Sequence, residues 1–300
     1  METVKLNSSL PAMSRLVYGV WRLADDENTS TAHVRAKIDA CLEQGITTFD
    51  HADIYGEYQC EAVFGRALAE DSSLRDQMQI ITKCDIAIPT SIYPERRVKY
   101  YDTSPEFIRT SVENSLRHLH TDSLDMLLIH RPDPFMDATA TGATLDELIK
   151  EGKIKAAGVS NFKPYDWELL QSRMDNTLAT NQIEISLLEH DAFTNGDLAH
   201  LETLNLNAMA WSPLAGGRIF GNDEDAQRIK PVMQRIADEQ GCDLDHVAIA
   251  WLLAHPSGIL PVVGTNNLDR IKTLSKSLDV QIDRQTWFEL LTAAMGEEVA

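Results

Sequence analysis

Three ionisable side chains and a phenol stand close together at the end of an apolar stretch, in the segment TTFDHADIYG at residues 47–56. The apolar residues on either side indicate a buried strand, and polar groups at the end of a core element are costly unless they are paired or used. A phenol such as that of Tyr55 can donate a proton to a developing alkoxide when a nearby cation lowers its pKa from the usual ~10. The segment therefore predicts acid–base chemistry that needs a cation from another part of the chain.

Partners for this phenol stand at the ends of two later apolar stretches. Lys83 can supply the cation, and Asp50 can anchor the ammonium group of Lys83 so that its charge is held in place. His130 can donate a hydrogen bond to the oxygen of a substrate. These four side chains suit proton donation to a carbonyl group, and the chain has no G-x-S-x-G motif of a nucleophilic serine.

A carbonyl group that is reduced needs electrons as well as a proton. The sequence has no evident redox pair of cysteines, so a hydride-carrying cofactor is the simplest source. In barrel enzymes the loops after the last two strands often bind phosphate. The corresponding segments here are WSPLAGGRIFG at residues 211–221 and GTNNLDRI at residues 264–271, and we expect them to bind the cofactor.

Each of these segments offers particular contacts. The side chain of Trp211 can cover a flat ring at the end of its strand. Gly264 and Thr265 are expected at a helix N-terminus, which is a natural anion site. Arg270 lies further along that predicted helix, where it can pair with a phosphate or stack on a base.

Short apolar runs alternate with helical patterns along the whole chain. We predict strands at residues 16–20, 47–50, 78–83, 124–130, 155–160, 179–185, 206–212 and 258–263. We predict helices at residues 30–45, 103–119 and 266–278, with weaker patterns at 57–69, 142–151, 164–173, 196–204 and 225–254.

This alternation indicates a parallel sheet, and eight strand–helix units in one undivided chain favour a closed (β/α)8 TIM barrel. We predict a single α/β barrel domain over residues 1–300 with its active site at the C-terminal ends of the strands. Every predicted strand ends in polar or aromatic groups that could line one mouth, beginning with Trp21. A six-stranded doubly wound sheet is the alternative, but no G-x-G-x-x-G fingerprint follows the first predicted strand.

The composition excludes several classes of partner. The chain of 300 residues has a net charge of -19, from 27 Lys and Arg against 46 Asp and Glu, which disfavours binding to nucleic acid or to anionic membranes. No apolar run approaches the ~18 residues of a membrane span. The four cysteines are scattered, so we expect reduced thiols, a cytoplasmic location, a small-molecule partner and, by default, a monomer.

Several segments resemble, in the right order, those of one known family, the aldo-keto reductases, and they cover essentially the whole chain. Residues 45–65 resemble the first signature of the family, and LLIHRPD at 127–133 resembles the segment with its histidine. GKIKAAGVSNF at 152–162 resembles its strand-5 signature, and WSPLAGG at 211–217 resembles its strand-7 loop. The sequence of these and neighbouring segments is most similar to that of the bacterial YdhF-like branch of the family.

This resemblance implies NADPH-dependent reduction of aldehydes or ketones to alcohols. It implies that Tyr55 is the proton donor, that Lys83 and Asp50 tune its acidity, and that His130 orients the carbonyl group. Together with the strand ends, it predicts cofactor contacts at Trp21, Ser160, Asn161, Gln182, Trp211, Ser212, Leu214, Gly216, Gly217, Arg218, Gly264, Thr265 and Arg270.

Within that set, the resemblance implies that Ser160, Asn161 and Gln182 hold the carboxamide of the nicotinamide. The loop at residues 212–217 would meet the pyrophosphate, and Thr265 and Arg270 the adenosine phosphate. Gly264 stands where many members of the family have lysine, so NADH is possible beside NADPH.

Other functions stay open on the sequence. A barrel of this kind could bind the cofactor and act as a regulatory module with little turnover. His51 near Asp53 could bind a metal in a barrel hydrolase, although we predict no metal because no H-E-x-x-H motif is present. The segment at residues 85–103, after the third predicted strand, could shape substrate entry or be solvated.

Overall fold

Eight parallel strands form a closed barrel in the computed structural model, which describes residues 1–6 and 10–300. The strands are β1 Thr3–Val4, β2 Met13–Ser14, β3 Val17–Gly19, β4 Thr48–Asp50, β5 Gln79–Cys84, β6 Ile86–Ala87, β7 Tyr100–Tyr101, β8 Leu124–Ile129, β9 Ile154–Ser160, β10 Asn181–Glu184, β11 Met209–Trp211 and β12 Leu260–Val263. The barrel runs from β3 through β4, β5, β8, β9, β10 and β11 to β12, which pairs with β3. Each barrel strand overlaps a stretch predicted as a strand, so the predicted TIM barrel is confirmed.

Helices lie between the barrel strands along the chain, and two more follow the last strand. They are α1 Thr31–Leu42, α2 Tyr55–Tyr58, α3 Cys60–Glu70, α4 Pro105–His118, α5 Ala138–Lys150, α6 Pro164–Gln171, α7 Asp197–Thr203, α8 Glu224–Gln240, α9 Leu244–Leu253, α10 Leu268–Ile271 and α11 Arg284–Met295. No helix formed by the described residues is long and apolar enough to cross a bilayer.

Three of the predicted helices were wrong in extent. The pattern at 57–69 begins in a left-handed turn at Glu57 and Tyr58, and its regular helix is α3. The pattern at 225–254 forms two helices, because Gly241 ends α8 in the left-handed conformation and Asp243 caps the start of α9. The pattern at 266–278 forms the short α10 and then a 3-10 helix at Leu274–Leu278. Helix α11 was not predicted.

The apolar core has two layers, one inside the barrel and one between the strands and the helices. Successive side chains of a strand point to opposite faces and so supply both layers. The inner layer contains Val17, Ile81, Met126, Leu128, Ala156, Met209, Leu260 and Val262, and Met13 of β2 packs against it. The antiparallel pair β1–β2 therefore covers the amino end of the barrel, and the carboxyl ends form the open side.

Candidate active site

Backbone strain is concentrated in the loops at the carboxyl ends of the barrel strands. Asp85, Asn161 and Ser212 directly follow β5, β9 and β11, and their φ angles are 107°, 60° and 48°. A positive φ in a residue with a side chain is unfavourable by on the order of 1–3 kcal/mol, and such residues cluster at functional sites. The strain therefore marks the same rim of the barrel that the polar strand ends indicate.

Lys83 is the centre of a buried cluster on this rim. Its Nζ donates to Oδ2 of Asp50 at 2.7 Å, to the carbonyl oxygen of His51 at 2.7 Å and to the hydroxyl of Tyr55 at 3.1 Å. The ammonium group has three donors, and each of them has an acceptor. The structure thus brings together three of the four predicted catalytic residues around one fully buried cation.

The electrostatics of this cluster differ from the expectation in one respect. Burial raises the pKa of the Tyr55 phenol above its usual value, and this outweighs the opposing effect of the Lys83 charge and hydrogen bond. Burial lowers the pKa of Lys83, but the charges of Asp50 and Tyr55 and their hydrogen bonds raise it by more. Lys83 thus lowers the pKa of Tyr55 as expected, but burial has the larger effect, so Tyr55 is a protonated phenol beside a charged ammonium group.

His130 follows β8 and lies across the site from the phenol. Its ring centroid is 6.0 Å from that of Tyr55, with an angle of 78° between the rings. Burial lowers the pKa of His130 well below 6.5, and the positive charges of Lys83, Arg131 and Lys99 lower it further. The imidazole is therefore neutral near pH 7 and can donate one hydrogen bond from one ring nitrogen.

A chain of hydrogen bonds joins this cluster to the aromatic side of the site. Gln182 Nε2 donates to Oδ1 of Asp50 at 2.7 Å, and Ser160 Oγ donates to the carbonyl oxygen of Gln182 at 2.7 Å. Asn161 Nδ2 donates to Ser160 Oγ at 2.9 Å, and its Oδ1 accepts from Trp211 Nε1 at 2.9 Å. The chain fixes the ring of Trp211 and commits the amide nitrogen of Gln182 to Asp50, a partner that sequence reasoning missed.

The loop after β11 is exposed and contains two glycines in left-handed conformations. Gly216 and Gly217 have φ angles of 65° and 95°, and both are exposed, as is Arg218. Ser212 and Leu214 of this loop are half-buried. Apart from its two chain neighbours, no residue that the structure describes has an atom within 4 Å of the position that a Cβ of Gly217 would take, so its backbone is accessible to a ligand.

The loop after β3 contributes an aromatic ring and a cation. The ring centroid of Trp21 is 6.5 Å from that of Tyr55, and 54% of Trp21 is exposed. Arg22 Nη2 lies 3.8 Å from the position that a Cβ of Gly216 would take, so this guanidinium reaches the loop after β11. Sequence reasoning missed Arg22, although its place directly after Trp21 was an available signal.

The loop after β12 differs from its prediction. Helix α10 begins at Leu268, and the Asn267 side chain accepts from the backbone N–H groups of Asp269 and Arg270. The expectation that Gly264 and Thr265 lie at the N-terminus of this helix was therefore wrong, because the helix starts after Asn267, and Asn267 already accepts from its first free N–H groups. A cofactor contact of Gly264 and Thr265 stays a prediction. Arg270 is exposed and forms no ion pair with any residue in the described part of the chain.

His51 and Asp53 do not form part of a metal-binding group. His51 is fully buried, its ring packs edge-on against Phe64 at 4.6 Å, and burial lowers its pKa to about 3. Burial raises the pKa of Asp53 to about 8, and the nearby charge of Glu61 adds to this effect. Over residues 1–6 and 10–300, the acidic and histidine side chains that come within metal-binding distance as a group of three or more are Asp243, Asp245 and His246, at the start of α9.

A closed (β/α)8 barrel with a buried Lys–Asp–Tyr cluster on its carboxyl rim is the arrangement expected of a barrel enzyme that uses a phenol for acid–base chemistry, as the reduction of a carbonyl group requires. Comparison with known families agrees with this class, because the model of the aldo/keto reductase family matches residues 15–292. The chain belongs to the aldo-keto reductase family and is an NAD(P)H-dependent oxidoreductase.

Two relatives are similar over nearly the whole chain. The chain is 55% identical over 300 residues to a 6-dehydroglucose reductase of Agrobacterium fabrum, with all of both chains covered. It is 43% identical over 290 residues to the oxidoreductase YdhF of Escherichia coli, with 96% of each chain covered. The second relative confirms the predicted similarity to the YdhF-like branch.

A solved structure of an aldo/keto reductase from Klebsiella pneumoniae, in complex with NADP and acetate, has the same fold. It superposes with a TM-score of 0.75 and 23% identity, and the match covers 96% of this chain and 94% of that one. The residues of the present rim fit a nicotinamide dinucleotide. Trp211 offers a fixed flat ring, Gly217 an open backbone, and Arg22 and Arg270 two cations.

Proposed function

We propose that this protein reduces an aldehyde or ketone to an alcohol with NADPH, and that Tyr55 donates the proton. The observation that carries the proposal is the contact of Lys83 Nζ with both the Tyr55 hydroxyl, at 3.1 Å, and Asp50, at 2.7 Å. A phenol beside a fixed cation can lose its proton in the transition state, because the ammonium group stabilises the phenolate that forms.

The other residues prepare the substrate and the acid. Neutral His130 donates a hydrogen bond to the carbonyl oxygen and so holds it near the Tyr55 hydroxyl. Asp50 holds Lys83, and Gln182 holds Asp50, so the geometry of the acid does not depend on solvent. When bound, the nicotinamide supplies the hydride that the carbonyl carbon accepts, and the proton from Tyr55 completes the alcohol.

NADPH is the proposed cofactor, with NADH as a weaker alternative. Arg270 is exposed without an ion pair among the described residues, and a guanidinium is well suited to a phosphate monoester. Ser160 and Asn161 lie beside Trp211 through the Asn161 hydrogen bond, where they can exchange partners with a carboxamide. The Klebsiella pneumoniae relative in complex with NADP supports the same choice.

We propose 6-dehydroglucose, a hexose with an aldehyde at C6, as the substrate. The name of the Agrobacterium fabrum relative supports this choice, at 55% identity over the whole chain. The side chains around the site also suit a polyhydroxylated molecule. Arg131 lies with Cζ 5.7 Å from the centre of the Trp211 ring, and the charge of Lys99 contributes to the lowered pKa of His130. Cationic donors of this kind can bind sugar hydroxyl groups.

A single set of kinetic measurements tests the proposal. Purified protein should oxidise NADPH in the presence of 6-dehydroglucose, and Tyr55→Phe should lower kcat by at least about 100-fold. The Kd for NADPH, followed by quenching of tryptophan fluorescence, should not change. Tyr165→Phe, which removes a hydroxyl from an exposed residue of α6, is the matched control.

Three results would contradict parts of this proposal. Retained turnover in Tyr55→Phe would remove Tyr55 as the acid. Equal affinities for NADPH and NADH would contradict the proposed contact of Arg270 with the additional phosphate of NADPH. Turnover of simple aldehydes without turnover of 6-dehydroglucose would support carbonyl reduction but contradict 6-dehydroglucose as the substrate.

A further inference from the structure

The segment between β5 and α4 lies beside the mouth of the active site, and we call residues 86–101 the strap. Its two ends pair as the antiparallel strands β6 and β7, with Ile86 opposite Tyr101 and Ala87 opposite Tyr100. Between them most residues are exposed. Lys99 directly precedes β7, whose pairing with β6 holds this part of the strap near the carboxyl end of β5, and the charge of Lys99 helps to lower the pKa of His130. An exposed segment of this length needs specific contacts to hold one position.

The hydroxyl of Tyr58 provides the first of these contacts. It donates to the carbonyl oxygen of Ile86 at 3.2 Å, and it accepts from the backbone N–H of Ile88 at 3.3 Å. It also accepts from Nη1 of Arg96 at 2.6 Å. One side chain from α2 thus binds the strap at its base and in its middle.

The guanidinium of Arg96 provides the second contact. Its Cζ lies 3.7 Å from the centre of the Tyr93 ring and 5.7 Å from that of Phe107 on α4. Arg96 also lines a cavity of about 290 Å³ together with the acidic side chains of Glu61 and Asp102. Aromatic faces and negative charge both favour a cation at this place.

Tyr58 also belongs to a strained turn that directly follows the proton donor. Gly56, Glu57 and Tyr58 have φ angles of 57°, 53° and 71°. The left-handed conformation is unfavourable for residues with a side chain, so Glu57 and Tyr58 need compensating contacts to keep it. Among the described residues, the hydrogen bonds of the Tyr58 hydroxyl are contacts of this kind.

We propose that Tyr58 and Arg96 are positioning residues, of which Tyr58 couples the strap to the proton donor and Arg96 orients the strap. Tyr58 holds the left-handed turn that presents Tyr55, and Arg96 holds the strap so that Lys99 faces the substrate. The proposed contact of Lys99 with the substrate rests on the proposed function, because it assumes a sugar with hydroxyl groups. The proposed role of Tyr58 in holding Tyr55 applies to any carbonyl substrate.

Two variants with matched controls separate these parts. Tyr58→Phe keeps the ring and removes the hydroxyl, and Tyr165→Phe does the same at an exposed site on α6. Arg96→Gln removes the guanidinium, and Arg97→Gln removes its exposed neighbour. Each protein is assayed with 6-dehydroglucose and with propanal, which has no hydroxyl groups, and its Kd for NADPH is measured. Hydrogen exchange of residues 86–101 is followed without substrate.

Each variant has its own expected pattern. Tyr58→Phe should lower kcat for both aldehydes by about tenfold, because the three hydrogen bonds of the hydroxyl are lost. Arg96→Gln should raise KM for 6-dehydroglucose by about tenfold and leave propanal kinetics within about twofold. Exchange in the strap should become faster in both variants, the Kd for NADPH should stay within about twofold, and the controls should behave as wild type.

The contrary results are equally distinct. Faster exchange in the strap with unchanged kinetics for both aldehydes would overturn the coupling, because the strap would then be held without any effect on Tyr55. Unchanged exchange would overturn the anchoring itself, and this readout needs no turnover. Absence of turnover in the wild-type protein would instead contradict the proposed function, and hydrogen exchange would still decide whether Tyr58 and Arg96 anchor the strap.

Discussion

The site has an acid side, around Lys83, and a phosphate side, with Arg22 and Arg270. The two sides differ in how many of their charged groups already have partners in the protein. On the acid side, Lys83 and Asp50 are buried, and their side-chain nitrogen and oxygen atoms are paired with protein groups. On the phosphate side, Arg22 and Arg270 are exposed, and neither forms an ion pair with a residue that the structure describes. The groups that would move protons are fixed in advance, whereas the groups that would bind phosphate are left for a ligand.

This difference follows from the energetics of charge. A buried charge is strongly unfavourable unless a partner and hydrogen bonds compensate it, so the acid side can exist only as a complete cluster. An exposed guanidinium is hydrated at little cost, and a surface ion pair would add only about 0–1 kcal/mol. The protein can therefore keep exposed cations unpaired, in a chain that carries a net charge of -19.

The largest expected effect comes from breaking the acid side at its centre. Lys83→Met leaves the buried carboxylate of Asp50 without its cation, and we expect a loss of about 3–5 kcal/mol in the free energy of unfolding. The kcat should fall by at least about 100-fold, because the stabilisation of a Tyr55 phenolate is lost. Urea unfolding and NADPH oxidation measure the two effects.

The double variant Lys83→Met with Asp50→Asn is the control for this prediction. It removes the uncompensated charge, so most of the stability should return while the activity should not. A single variant as stable as wild type would show that Asp50 does not depend on Lys83 for its charge compensation.

The two sides also differed in how well the sequence predicted them. Asp50, Tyr55, Lys83 and His130 could be found because ionisable groups at the ends of apolar strands are rare and must be used or paired. The partner of Gln182 could not be found, because a contact across 132 positions depends on the register of strands that are distant in sequence. The barrel itself follows from eight repeated units and needs no such register.

Errors on the phosphate side have a different cause. The start of α10 was misplaced because several polar residues before Leu268 can each act as a cap, and only the structure assigns this role to Asn267. Arg22 was missed because its contact with the Gly216 loop joins two loops whose conformations the sequence does not determine. The break at Gly241 was visible in the sequence and was overlooked.

A smaller effect is expected from removing the link between the two sides. Gln182→Leu leaves Oδ1 of Asp50 without its donor, and we expect a loss of about 1–3 kcal/mol in the free energy of unfolding. The kcat should fall by about tenfold, because Asp50 no longer holds Lys83 in one position. The Kd for NADPH should also rise if Gln182 contacts the carboxamide. An unchanged kcat with a raised Kd would place Gln182 on the cofactor side alone.

The phosphate side should respond in binding and not in stability. Arg270→Ala removes a cation that can form charge-assisted hydrogen bonds worth about 1.5–3 kcal/mol, so the Kd for NADPH should rise about 10- to 100-fold. The Kd for NADH should change little, and the free energy of unfolding should stay within about 0.5 kcal/mol. Arg173→Ala, at an exposed position after α6, is the matched control. Equal losses for NADPH and NADH would contradict a contact with the extra phosphate.

Asp53 tests whether every buried acidic group near the active site is paired as Asp50 is. It is buried and its Oδ1 has no partner among the described residues, and burial raises its pKa to about 8. Between pH 4 and 8 the folded protein should therefore keep a proton that the unfolded chain releases. Stability should fall as the pH rises through this range, by up to about 1.4 kcal/mol per pH unit.

Asp53→Asn resembles the protonated carboxyl group and should remove this slope. We expect the variant to gain stability over wild type as the pH rises from 6.5 to 8, where urea unfolding can be compared at several pH values. His51 does not affect stability in this range of pH 6.5 to 8. Because its pKa is lowered to about 3 in the folded protein, it makes stability fall only as the pH drops below about 6.5. Asp122→Asn, at an exposed position before β8, should leave the slope unchanged. Parallel slopes in wild type and Asp53→Asn would mean that Asp53 is ionised and compensated, as its neighbours on the acid side are.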